Sequence, residues 1–150
     1  MHNLLSEPAW FFPVFVVARG LSPSGYVVAY IGQETKDSLA VQHLAISQDF
    51  SSVPGADSET FQHLSQIDLY LDATSLLPVA LAFNIHPDDD MLLDISVEIR
   101  FSDYRPVNGA QVPFHVQKFL NNGLVLDLQL QSVAINTGLS PTTFSVGAGL

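Results

Sequence analysis

Ile95-Ser96-Val97-Glu98-Ile99-Arg100-Phe101 is the stretch on which the fold turns. Ile95, Val97, Ile99 and Phe101 occupy every second position, with Ser96, Glu98 and Arg100 between them. Successive side chains of an extended chain point to opposite faces, so this spacing predicts a strand with one buried and one polar face. Downstream, Val112, Phe114 and Val116 face one way, with His115 and Gln117 facing the other. Leu124, Leu126, Leu128 and Leu130 then alternate against Val125, Asp127, Gln129 and Gln131. Asn108-Gly109 and Asn122-Gly123 separate these runs. A two-residue type I′ turn needs positive φ at both central residues, which Asn-Gly adopts at least cost. The C-terminal half therefore reads as an antiparallel meander.

Upstream, Ile67-Asp68-Leu69-Tyr70-Leu71-Asp72 alternates in the same way, and Val79, Leu81, Phe83 and Ile85 share one side of the next run. Tyr26–Glu34 and Leu39–Gln48, rich in β-branched and aromatic residues, flank the polar turn Thr35-Lys36-Asp37-Ser38 and give two more strands. Ser51–Ser58 has loop composition, with one helical turn expected around Glu59–Leu64. At the N-terminus Ser6-Glu7-Pro8 has the signature of a helix start, and Gly20 that of its end. The apolar run Ala9–Ala18 is too short for a bilayer, which takes ~20 residues, and Pro8 and Pro13 interrupt it. It reads as a short buried helix and not as a targeting segment, since no basic residue precedes it.

The chain has 150 residues, enough for one domain with a real core, and 47% are apolar against 13% charged. Mean hydropathy is positive, so apolar surface beyond the needs of a core is available for a ligand or a partner. The net charge is −10, and the five basic residues Arg19, Lys36, Arg100, Arg105 and Lys118 are scattered. No stripe exists to neutralise phosphates, which argues against nucleic acid and against anionic headgroups. With no cysteine, disulfides and thiolate metal sites are excluded.

Little in the sequence carries chemistry. His86-Pro87-Asp88-Asp89-Asp90 with Asp94 is the densest acidic cluster and has oxygen ligands of the kind calcium takes. Its spacing is not that of a calcium loop, and a solvated hairpin loop accounts for it as well. The five histidines His2, His43, His63, His86 and His115 show no zinc-type spacing. His43 and His115 sit mid-strand, where they could meet across the sheet or simply be satisfied in place. Gly20-Leu21-Ser22-Pro23-Ser24-Gly25 runs from helix into strand with its second glycine displaced, the reverse of a nucleophile elbow. No glycine-rich phosphate cradle is present. The residues thus assign no catalytic group, no metal ligand and no cofactor, and the chain reads as a non-enzyme. Trp10, Phe11, Phe12 and Phe15 are either core residues of the helix or a plug in an apolar cavity.

Ile67–Asp72, its turn and Leu77-Pro78-Val79 together resemble a strand pair of bacterial outer-membrane lipoprotein carriers and their relatives. Phe101-Ser102-Asp103-Tyr104-Arg105-Pro106-Val107-Asn108-Gly109, running into Val112-Pro113-Phe114, is similar to the next hairpin of that family. Leu139-Ser140-Pro141-Thr142-Thr143-Phe144 resembles its C-terminal end. The pattern spans Ile67 to Val146. Ser75-Leu76 stand where the family carries Thr-Gly, so that turn must differ. The resemblance implies a curled antiparallel sheet around short helices, an apolar concavity for lipid or acyl chains, and work in the periplasm or at the outer membrane. With no signal peptide, residues 1–150 then form one domain, either whole or the C-terminal part of a longer carrier-like chain.

The expectation is a mainly β chain: a single curved antiparallel sheet, or half-barrel, with a short N-terminal helix. Its expected role is non-catalytic binding of a hydrophobic small molecule or lipidated protein, with no membrane span. Leu81, Phe83, Ile99, Phe101, Phe114, Val116, Leu126 and Leu128 would line the concavity, joined by Trp10 and Phe15 from the helix. Plain core packing is the other reading of each. Two alternatives stay open: a structural or self-association module, as a homodimer, through the apolar face, and a calcium-dependent binder or hydrolase using Asp88, Asp89, Asp90 and Asp94.

Overall fold

In the computed structural model, residues 26–49, 51, 57–87, 89–140 and 142 are described. Seven strands form one antiparallel sheet in sequence order. They are β1 (Tyr26–Lys36), β2 (Leu39–Gln48), β3 (Ile67–Asp72), β4 (Pro78–Ile85), β5 (Ile95–Val107), β6 (Ala110–Leu120) and β7 (Gly123–Gln129), with one helix, α1 (Ser58–Ser65), between β2 and β3. β1 and β7 are the free edges, so the sheet is open and not closed. The expected N-terminal helix, and Trp10 and Phe15 with it, lies outside the described residues.

Tight turns fix the register. Asp37-Ser38, Asn108-Gly109 and Asn121-Asn122 all take positive φ at both central positions, and each joins its strands through a two-residue loop. The last corrects the sequence reading by one residue. Gly123 pairs with Leu120 and begins β7, leaving Asn121-Asn122 as the turn. Asparagine tolerates left-handed backbone well enough that two in succession replace Asn-Gly. Between β3 and β4 the Asp72 carboxylate accepts from the Thr74 and Ser75 amides and from the Ser75 hydroxyl. Leu76 then takes positive φ. The Asp72 side chain thus closes an Asx-type turn, with left-handed backbone at a leucine.

Bulges interrupt the ladder between Tyr30 and Gly32 on β1, opposite Tyr70-Leu71 on β4, and opposite Lys118-Phe119 on β7. Each inserts a residue, bends its strand and raises the local twist, so the sheet coils instead of lying flat. The β4 bulge falls at Val79, which leaves the strict alternation expected of it.

The core lies on one face. Ile46, Leu69, Leu81, Phe83, Val97, Ile99, Phe101 and Val116 form a contiguous buried cluster across β2 to β6. The register stacks them strand by strand, with Leu81 opposite Ile99, Phe83 opposite Val97 and Phe101 opposite Val116. Asp57 caps α1 by accepting from the Thr60 amide, and the Ser65 hydroxyl accepts from the Gln48 amide to tie the helix to the end of β2.

Candidate functional site

The apolar face runs from a sealed centre to an open edge. Leu81 and Ile99 are 0% exposed, and Phe83, Phe101 and Val116 are buried around them. One strand further, Leu128 pairs with Val116 and Leu126 with Lys118, on the same side, yet they are 39% and 37% exposed. Their exposure follows from position: among the described residues β7 has no neighbour beyond it, and it is exposed along its whole length. Of the lining expected from sequence, Leu81, Phe83, Ile99, Phe101 and Val116 fall in one cluster, which Leu126 and Leu128 extend to the edge. Phe114 is buried but stands outside that cluster, with the Arg105 guanidinium 4.4 Å from its ring centroid. On the other edge, Val28 and Tyr30 of β1 are also exposed.

The opposite face is polar and held by ions. Lys36 Nζ lies 2.7 Å from Glu98 Oε2 and 4.6 Å above the Tyr70 ring. Arg100 pairs with Glu98 and, at 3.3 Å, with Asp37. Burial pushes the Glu98 carboxyl upward, but hydrogen bonds and charge from Lys36 and Arg100 outweigh it and hold the group below its ordinary range. His43 bonds Asp68 at 3.0 Å and stacks on Tyr70. His115 bonds Asp127 at 2.6 Å and Ser102 at 3.2 Å. The two histidines do not meet: each ring is held by its own carboxylate, His43 by Asp68 and His115 by Asp127.

Burial first, then the Asp68, Glu34 and Glu98 carboxylates, push the Tyr70 phenol up to about 12. A group whose folded value is raised contributes stability below its unfolded pKa of ~10 and loses it as pH passes through the folded value. The phenolate absorbance of Tyr70, obtained as the difference between wild type and Tyr70→Phe, should therefore rise only near pH 12, together with alkaline unfolding. Ionisation near 10 in folded protein would contradict the burial.

Among the described residues, the acidic loop after β4 does not gather its carboxylates on one point. Asp90 Oδ1 accepts from the Leu92 amide, Asp89 is exposed, and Asp88 lies outside the described residues. Asp94 turns instead to two histidines. Its Oδ1 lies 2.9 Å from His86 Nε2 and 3.0 Å from His63 Nε2. Linear spacing hides this group, since His63 is on α1 while His86 and Asp94 bracket the β4–β5 loop. One signal was available: extending the Ile85–Ile95 pair by one residue sets His86 opposite Asp94.

No helix among the described residues is long and apolar enough to cross a membrane. No protein-family model and no curated protein matches the chain. Solved structures do. A domain from Vibrio parahaemolyticus described as an outer-membrane lipoprotein-sorting protein superposes with a TM-score of 0.51 and 16% identity, over 80% of this chain and 46% of that one. A DUF1329 family protein from Desulfovibrio piger gives 0.54 and 15%, over 81% and 45%. A LolA superfamily protein from Nitrosomonas europaea gives 0.43 and 15%, over 74% and 47%. The chain thus spans less than half the length of these structures, and its open seven-stranded sheet has the fold of the lipoprotein-sorting domain and of the DUF1329 protein.

Proposed function

We propose that this chain is a non-catalytic binder of an apolar ligand, a lipid acyl chain or the acyl group of a lipidated protein, held against the apolar face of the coiled sheet. The observation that carries the reading is the apolar row that leads from the sealed cluster through Phe101 and Val116 to the exposed Leu128, with Leu126 beside it next to Lys118. Exposed leucines continuous with a core are what an acyl chain would cover, and each leucine fully desolvated is worth about 1.5–3 kcal/mol. The likeness to a lipoprotein-sorting domain supports the same ligand class, and with it a periplasmic setting.

Native mass spectrometry of freshly purified protein should show an adduct with the mass of a fatty acid or phospholipid that is lost on denaturation. Leu126→Glu and Leu128→Glu should each weaken uptake of a fluorescent fatty acid at least tenfold while leaving the melting temperature within a few degrees, because both residues are already partly hydrated. Undiminished uptake in both variants would remove β7 from the site. Concentration-dependent dimerisation without lipid, abolished by the same changes, would instead make this edge a surface for a second copy, since an unpaired strand edge is a template for pairing.

A further inference from the structure

We infer that His63, His86 and Asp94 form a divalent-metal site suited to zinc, on the polar side of the sheet and separate from the apolar face. Among the described residues, this is the group of three histidine and carboxylate ligands whose donor atoms all lie within 4.8 Å of one another. Both Nε2 atoms converge on one carboxylate oxygen, at 2.9 and 3.0 Å. Ligands bound to tetrahedral zinc at ~2.0 Å stand about 3.3 Å apart, so the two nitrogen–oxygen distances need to open by only a few tenths of an ångström to admit the ion. The donor set is two imidazoles and one carboxylate, with no thiolate in the chain, and imidazole favours zinc over calcium or magnesium. Three protein ligands leave a fourth position for water.

The placement argues for a built site. His86 leaves the end of β4 with its side chain 0% exposed, and Asp94 enters β5 beside it. Their positions are set by the ladder that ends at Ile85 and Ile95. His63 comes from the last turn of α1, with its ring tilted 60° to that of His86 and the centroids 5.2 Å apart. His63 and Asp94 are each 43% exposed, so an ion has a path in from solvent. The remaining histidine–carboxylate pairs lack this convergence. His43 has Glu34 and Asp68 on its two ring nitrogens, 3.2 and 3.0 Å away, so those carboxylates lie on opposite sides of the ring. His115 likewise divides its ring between Ser102 and Asp127. A metal at His63, His86 and Asp94 would fasten α1 to the β4–β5 loop more firmly than the His63–Asp94 hydrogen bond and the His63–His86 ring contact that join them now.

Calorimetric titration of the chelator-treated chain with zinc alone tests this. One equivalent should bind and raise the melting temperature, while calcium and magnesium do neither. His63→Ala and Asp94→Asn, both at exposed positions, should weaken zinc at least tenfold, and His115→Ala should leave it unchanged. Cobalt substituted for zinc should give the visible absorption of a four-coordinate site, lost in His63→Ala. Unchanged affinity in His63→Ala and Asp94→Asn, loss in His115→Ala instead, or the absence of stoichiometric binding would each overturn the site. A fatty acid that still binds the zinc-free chain would keep this result distinct from the acyl-binding proposal.

Discussion

Leu81→Ala and Ile99→Ala are each expected to destabilise the chain by about 2–5 kcal/mol, the range for emptying a buried aliphatic site that cannot collapse. Both side chains are 0% exposed, and they face each other directly across β4 and β5 in the middle of the sheet. The flanking strands are held by the same ladder, so the backbone has little freedom to close over a void. For a chain of this size the cost corresponds to a fall in melting temperature of roughly 10 °C. Leu128→Ala is the internal control. It removes the same atoms from the same face, but at 39% exposure it should cost under about 1 kcal/mol. Because Leu81 and Ile99 are in contact, the double variant should differ from the sum of the singles by about 0.5–3 kcal/mol. Urea unfolding of the wild type and the four variants gives the values. Equal costs at Leu81 and Leu128 would mean that the gradient from sealed centre to open edge does not exist in solution, and the acyl-binding proposal would lose its basis.

That gradient also marks where sequence reading stops. Alternation assigned Leu81, Ile99 and Leu128 to one side, because period-two spacing reports the face of a strand and nothing more. It could not report neighbours. Leu81 and Leu128 look alike in the sequence and differ only because β4 is central and β7 is an edge, which is a property of strand order. Turn chemistry was nearly as legible as alternation. Asp37-Ser38 fell within the expected polar turn, Asn108-Gly109 is the turn expected, and the shift at Asn121-Asn122 arose because three consecutive residues there all tolerate positive φ. Bulges were not legible. Ile31, Val79 and Val125 are β-branched residues inside apolar runs, and only the pairing shows that each is unmatched.

The His63–His86–Asp94 group was missed for a related reason. Metal motifs are recognised by short spacings on one element, and here the ligands come from a helix and from both sides of a loop. Read as a run, His86 to Asp94 draws attention to its carboxylates. The fold uses the two ends of the run, while Asp89 and Asp90 face solvent. Aspartates clustered in sequence need not cluster in space, whereas residues that close a β-hairpin ladder must.

Glu98→Ala should carry the second large effect, about 1–3 kcal/mol at neutral pH, because it strips two cations of a shared, half-buried carboxylate. Lys36 and Glu98 are only 22% and 19% exposed, so water compensates the loss poorly. Lys36 joins β1 to β5 across β2, β3 and β4, and it lies over Tyr70 on the way. Removing its partner therefore loosens a tie across the polar face, opposite the apolar cluster. The pH dependence separates this from a packing defect. Glu98 is held below its ordinary value, so its contribution is present above the unfolded glutamate pKa of ~4.3 and fades as pH falls through the lower folded value. The difference between wild type and Glu98→Ala should then be full at pH 6 and shrink steadily below about pH 4, where the wild-type carboxyl takes up its proton. Glu98→Gln keeps the shape and removes the charge, so it should reproduce most of the neutral-pH loss. A difference that stays constant from neutral to acid pH would assign the effect to lost contacts, and the ion network on the polar face would then be incidental to stability.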